Sequence, residues 1–77
     1  MPRLGPQRRR NLIRILRENG LVEDPRKGKG SHMWLGHPSD PTKATVVPSY
    51  ETIDGGLADR IIKQAGKTVE EYLSHLK

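Results

Sequence analysis

The chain has 77 residues, of which 32% are hydrophobic, and it carries 14 Lys and Arg against 9 Asp and Glu, a net charge of +5. A chain this short buries only about 60% of the surface that its unfolded form exposes, which predicts one domain over residues 1–77 with a modest core. The absence of cysteine excludes thiol nucleophiles, disulfides and thiolate zinc sites.

The apolar runs of the sequence are too short for a membrane protein. They extend over a few residues, whereas a membrane-spanning helix needs roughly 20. The first residues also lack the apolar stretch of a secretory signal peptide. We therefore expect a cytoplasmic protein.

The positive charge is concentrated in the first half of the chain. Residues 1–43 hold 10 basic and 4 acidic side chains, a balance of +6, whereas residues 44–77 hold 4 basic and 5 acidic ones, a balance of −1. Neutralising phosphates releases condensed counterions, so a cationic half favours a nucleic-acid partner. Charge that merely keeps the protein in solution is the ordinary alternative.

A helix and a set of short strands are predicted for the first two thirds of the chain. Apolar side chains at helical spacing predict a helix over residues 6–19, which Gly20 ends. Prolines and glycines then exclude any long helix over residues 21–53. The strands predicted there are 21–24, 31–36 and 44–47, joined by hairpin loops at 27–30 and 39–43.

Two more helices are predicted after the strands. Asp54 is a suitable N-cap for the first, which Gly66 ends, and Thr68 with Glu71 forms a capping box for the second. The order helix, three strands, helix, helix predicts an α+β fold, with the helices packed on one face of an antiparallel sheet.

His32 is the strongest candidate for a catalytic residue. It follows the glycine-rich basic segment 26–31, whose glycines allow close approach to a phosphate and whose lysines supply charge. RNA carries its own nucleophile, the 2′-hydroxyl, so a cleaving site needs a base, cations around the phosphate and a proton donor. These residues fit a metal-independent ribonuclease, although a half-exposed strand histidine is the ordinary alternative.

The other two histidines have weaker settings. His37 lies five residues from His32, so a regular strand places the two on opposite faces, and it precedes a proline. We assign His37 to a turn and His75 to a solvated helix end, where it interacts with the helix dipole. Without cysteine or histidines four residues apart, the sequence favours no metal site, and we expect no cofactor.

Several short motifs follow one another in a recognisable order. They are Asn19-Gly20, Lys29-Gly30-Ser31-His32, Val47-Pro48, Gly56-Leu57, residues 61–66 and residues 68–73. In this order the chain resembles the HicA toxins over about residues 7–76. The most specific pieces are Gly30-Ser31-His32 and residues 61–73.

The resemblance implies a fold similar to a double-stranded-RNA-binding domain and the activity of an mRNA interferase, with His32 as general acid or base. It also implies a toxin-antitoxin pair, in which a HicB-like antitoxin covers His32. Together with the charge of the basic segment, it predicts that the RNA-binding residues are Lys27, Lys29, Gly30 and Ser31.

The chain departs from the family pattern at two informative places. The family often has a histidine after the Val-Pro element, where Ser49 and Tyr50 stand here, and a phenol does not readily replace an imidazole at neutral pH. Gly56 stands where the family usually has threonine. Both departures affect the expected rate of RNA cleavage and the binding of the substrate more than they affect the assignment to the family.

Two features stay open at this point. Trp34 shares a strand face with His32, where its indole can stack on an RNA base, but core packing is favoured because large apolar residues are few. The arginines 8–10 fit a phosphate track, although arginines on a solvated helix face are usual. They stay unassigned.

Two other functions compete with the ribonuclease. The first is a noncatalytic RNA-binding module, in which His32 only contacts RNA. The second is a structural protein of a ribonucleoprotein or DNA complex, which explains the charge but gives no reason for the Gly-Ser-His element. Cleavage assays separate the ribonuclease from the binding module, and equal affinity for DNA favours the structural protein.

Overall fold

The helices and strands follow the predicted α+β order. The computed structural model describes residues 4–27 and 32–75. Within these ranges the elements are β1 (Gln7–Arg8), α1 (Arg9–Glu18), β2 (Val22–Glu23), β3 (Met33–His37), β4 (Asp40–Val47), β5 (Thr52–Ile53), α2 (Gly55–Gln64) and α3 (Val69–His75). An N-terminal helix, a three-stranded antiparallel sheet and two C-terminal helices form an α+β fold with the arrangement of a double-stranded-RNA-binding domain.

The main sheet consists of β2, β3 and β4, with β3 in the centre and both pairings antiparallel. Met33 lies opposite Val47, and Trp34 lies opposite Val46. Leu35 and Val47 are fully buried. Because side chains alternate along a strand, Trp34 and Val46 project from the other face of the sheet.

One hydrophobic cluster joins the helices to the inner face of the sheet. Burying each large aliphatic side chain stabilises the fold by roughly 1.5 to 3 kcal/mol. The buried members of the cluster are Leu12, Ile13, Ile15, Leu16, Leu21, Leu35, Val47, Ile53, Ala58, Ile61, Ile62, Ala65 and Tyr72.

No helix of the described residues is long and apolar enough to cross a membrane.

The first helix begins three residues later than the predicted range of 6–19. In place of a first helical turn, β1 is extended and pairs with β5, and the Arg9 N–H donates to the Glu51 carbonyl at 2.9 Å. The buried Tyr72 hydroxyl donates to the side chain of Gln7 at 3.0 Å, which ties α3 to β1. These distant partners override the local helical pattern, whereas Gly20 ends α1 at φ +92° as predicted.

The hairpin between β3 and β4 is tighter than predicted. The prediction of a loop over residues 39–43 is wrong, because β4 already begins at Asp40 and the turn is formed by Pro38 and Ser39. Asp40 lies opposite His37, after an irregularity in register at Gly36. Pairing with β3 therefore outweighs the turn preference of the local sequence. The predicted loop at 27–30 lies mostly outside the described residues.

Both predicted helix caps are present. The Asp54 carboxylate accepts the N–H of Leu57 at 3.1 Å at the start of α2. At α3, the Glu71 carboxylate accepts the N–H of Thr68 at 3.0 Å, and the Thr68 hydroxyl accepts the N–H of Glu71 at 3.1 Å. The bond from the Thr68 N–H favours the ionised carboxylate and lowers the pKa of Glu71.

We expect Thr68→Ala to lower the free energy of unfolding by about 1 kcal/mol, because it removes the hydroxyl that accepts an otherwise unpaired N–H of the first turn. Urea unfolding followed by circular dichroism measures the change. Thr68→Ser is the matched control, since it keeps the oxygen and should retain the stability. Equal stability of the alanine and serine variants would contradict a stabilising cap.

Candidate nucleic-acid interface

Two of the predicted site residues can be placed in the structure. His32 lies directly before β3, next to Met33, and its side chain is exposed. Lys27 is also exposed and lies at the end of the first described range. Lys29, Gly30 and Ser31, the other residues predicted to contact RNA, lie outside the described residues.

A short turn after β2 positions Lys27. The Asp24 carboxylate accepts the N–H of Arg26 at 3.0 Å and its guanidinium Nε at 3.4 Å, and the Lys27 N–H donates to the Asp24 carbonyl at 3.1 Å. Partial burial acts to raise the pKa of Asp24, but the bonds from Arg26 hold that pKa below its usual value. The Asp24 N–H donates to the Trp34 carbonyl at 3.0 Å, so the turn is anchored to the central strand.

Trp34 does not pack in the core, so the prediction favouring core packing is wrong. The pairing of β3 with β4 gives the inward position to Leu35, and Trp34 is half-buried on the opposite face of the sheet. Its neighbours on that face include Val46, which is 44% exposed. The ammonium of Lys27 lies 4.4 Å from the centroid of the Trp34 ring.

The start of α1 lies at the end of the sheet where β3 begins. The Arg9 guanidinium Nε donates to the Pro48 carbonyl at 2.8 Å. Pro48 follows Val47, which lies opposite Met33, the neighbour of His32. Arg9, the first residue of α1, and the candidate catalytic histidine therefore share one end of the sheet.

An open groove extends along α1 beside the first residue of β3. Arg14 pairs with Glu18 at 3.1 Å, and Arg17 pairs with Glu23 at 3.3 Å. Both pairs are exposed, so they contribute little to stability and can be exchanged for contacts with phosphates. The side chains that line the groove are Arg9, Arg10, Ile13, Arg14, Arg17, Glu18 and Met33.

The arginines of α1 are the part of this surface that the sequence left unassigned. Their helical spacing puts them on a solvated face, but it gives no information on which strand that face approaches. The structure shows Arg9 and Arg10 in the same groove as Met33. We call the surface formed by this groove and the neighbouring His32 the cationic surface; Lys27 lies over Trp34 on the outer face of the sheet.

The remaining histidines have partners of their own. His37 was predicted to lie in a turn, but it is the last residue of β3; its Nδ1 accepts the N–H of Ser39 in the adjoining hairpin turn at 3.2 Å. The ring Nδ1 of His75 lies 3.5 Å from a carboxylate oxygen of Glu18, and its side chain is partly covered. His75 is the last residue of α3, so the predicted helix-end position is confirmed, and its side chain, which is 39% exposed, also faces Glu18 of α1.

The fold and the cationic surface together define a small basic α+β domain with the arrangement of a double-stranded-RNA-binding domain. The family model described as the HicA toxin of bacterial toxin-antitoxin systems matches residues 9–67. Because this match covers most of the chain, the chain belongs to the HicA toxin family, and the resemblance is confirmed. Membership implies an antitoxin partner. A comparison with curated proteins gives no match.

Proposed function

We propose that the chain is a metal-independent endoribonuclease that cleaves mRNA, with His32 as general acid or base. The observation that carries the proposal is the exposed His32 directly before β3, whose next residue, Met33, lines the groove with the arginines of α1. An exposed imidazole at such a place can reach a phosphodiester without any rearrangement of the core. Membership of the HicA toxin family supports the same activity.

The chemistry needs no group beyond those of the chain and the RNA. As a base, the His32 imidazole takes the proton of a 2′-hydroxyl while that oxygen attacks the adjacent phosphorus. The bond from phosphorus to the 5′ oxygen then breaks, and the leaving oxygen takes up a proton from water. The products are a 2′,3′-cyclic phosphate and a free 5′-hydroxyl. We assign to Lys27, and from the sequence to Lys29, the positive charge that stabilises the phosphate as negative charge accumulates on it.

We expect His32→Ala to lower the cleavage rate by about 10²- to 10⁴-fold and to abolish growth inhibition, because it removes the proton carrier. The measurement is cleavage of a labelled RNA, with circular dichroism to show that the fold is retained. His75→Ala is the matched control and should cleave normally, since His75 contacts Glu18. Cleavage by His32→Ala at the wild-type rate would leave the noncatalytic RNA-binding module as the better function.

We expect cleavage to continue in excess chelator and to leave a 2′,3′-cyclic phosphate, because the 2′-hydroxyl is the nucleophile. Mass spectrometry of the fragments identifies the ends, and an RNA with a single 2′-deoxyribose at the cleaved position is the control that should resist. Loss of activity in chelator, or fragments with a free 3′-hydroxyl, would contradict this mechanism.

We also propose that the antitoxin is a HicB-like protein that covers His32 and the basic segment. The support is electrostatic, because the exposed Arg26 and Lys27 attract carboxylates, and opposite charge speeds the encounter of two proteins. A protein seated there blocks RNA without distorting the toxin. Occlusion of a single proton-transfer residue is enough for inhibition.

We expect hydrogen exchange to show that the antitoxin protects residues around Lys27 and His32, and we expect association to slow as salt increases. The antitoxin is the protein encoded beside the toxin, and a variant of it with neutralised acidic residues is the control for the salt dependence. Protection confined to α3, with His32 still open to solvent, would show that inhibition is not occlusion of this surface.

A further inference from the structure

The face of the main sheet opposite the core carries the ring of Trp34, which has no role in the proposed reaction. We propose that the indole of Trp34 is the stacking site for one base of a single-stranded RNA whose chain also reaches His32. This inference rests on the proposed function and specifies how the substrate is held. The exposed neighbours Val22 (56%) and Val46 (44%) extend the same face.

The indole lies against the backbone of β3 because residue 36 has no side chain. A Cβ on Gly36 would overlap the six-membered ring, closest to Cη2 and within 2.7 Å of Cζ3 and 3.0 Å of Cζ2. The glycine therefore lets the ring of Trp34 rest on the sheet. A ring held in this way presents an aromatic surface without a further loss of side-chain freedom when a ligand binds.

The ammonium of Lys27 occupies a position that a base can take. It stands over the Trp34 ring, 4.4 Å from the centroid, and it belongs to an exposed turn. An exposed cation over an indole is held weakly, whereas a base stacked on an aromatic side chain lowers the Kd about 5- to 150-fold. When a base displaces the ammonium, Lys27 stays close enough to pair with a phosphate of the same strand.

The two side chains can contact different nucleotides of one strand. Trp34 comes two residues after His32, about 7 Å along an extended strand and on the same face, and its ring extends farther from His32, over Gly36. A base on Trp34 and a phosphate at His32 can then belong to neighbouring parts of one RNA chain. Single-stranded RNA is the occupant that these observations favour, because its bases are free to stack and its phosphates match the positive charge.

The intrinsic fluorescence of the protein tests the inference directly, because Trp34 is the one tryptophan of the chain. The probe is a single-stranded oligonucleotide with 2′-O-methyl riboses, which lacks the nucleophile and is not cut. We expect saturable quenching with the same Kd that the anisotropy of a labelled copy gives. An abasic oligonucleotide with the same number of phosphates is the control, and it should bind more weakly without quenching.

Variants separate stacking from charge. We expect Trp34→Val to raise the Kd for the oligonucleotide about 5- to 150-fold at every salt concentration, without changing the dependence of log K on log salt. Lys27→Gln should instead lower that slope by about 0.7 and leave the quenching in place. Trp34→Phe should recover part of the affinity, and thermal unfolding checks that each variant is folded.

The outcomes distinguish this inference from the proposed function. Tight binding without quenching, together with normal affinity of Trp34→Val, overturns stacking and leaves the ribonuclease intact. Quenching by the uncleavable probe, with no cleavage of natural RNA by the wild type, supports stacking and rejects the ribonuclease. Quenching by the antitoxin but not by any oligonucleotide overturns the inference, because the ring then belongs to a protein interface.

Discussion

The register between β3 and β4 is the constraint on which the rest of the surface depends. Leu35 lies opposite Thr45, and both are buried on the inner face. The Thr45 hydroxyl donates to the Gln64 side chain at 2.8 Å, which links this register to α2. A shift by one residue would move Leu35 into solvent and Trp34 into the core. The same pairing therefore fixes the core and decides that the indole faces outward.

The register also decides what surrounds His32. Val47 pairs with the first residue of β3, and the next residue, Pro48, accepts a hydrogen bond from Arg9. The start of α1 is thus attached to the sheet at the end where His32 lies. In the proposed complex with RNA, His32 would move the proton and the outer face of β3 would offer a ring for a base. The helix and the sheet would then contribute different contacts to one RNA strand.

Local signals predicted most of the fold, and tertiary contacts account for what they missed. The caps at Asp54 and Thr68 and the end of α1 at Gly20 depend on neighbouring residues, so the sequence was sufficient for them. The predicted start of α1 was wrong, because β1 pairs with β5 across the fold. For the site, the sequence predicted the exposed His32 and Lys27, but the core position favoured for Trp34 was wrong. The alternation of side chains along one β-strand defines two faces of the sheet, but it does not indicate which face the helices cover.

The small core explains why the recognition surface is open. A chain of 77 residues with 32% hydrophobic content needs its large aliphatic side chains to join three helices to one sheet. Few remain to enclose a ligand, so the proposed substrate contacts rely on exposed charges and on the indole that the register leaves outside. Each exposed ionic contact is weak and sensitive to salt, and affinity therefore depends on several acting together. A partner that covered only part of such a surface would remove several contacts at once, which is the physical basis of the occlusion that we propose for the antitoxin.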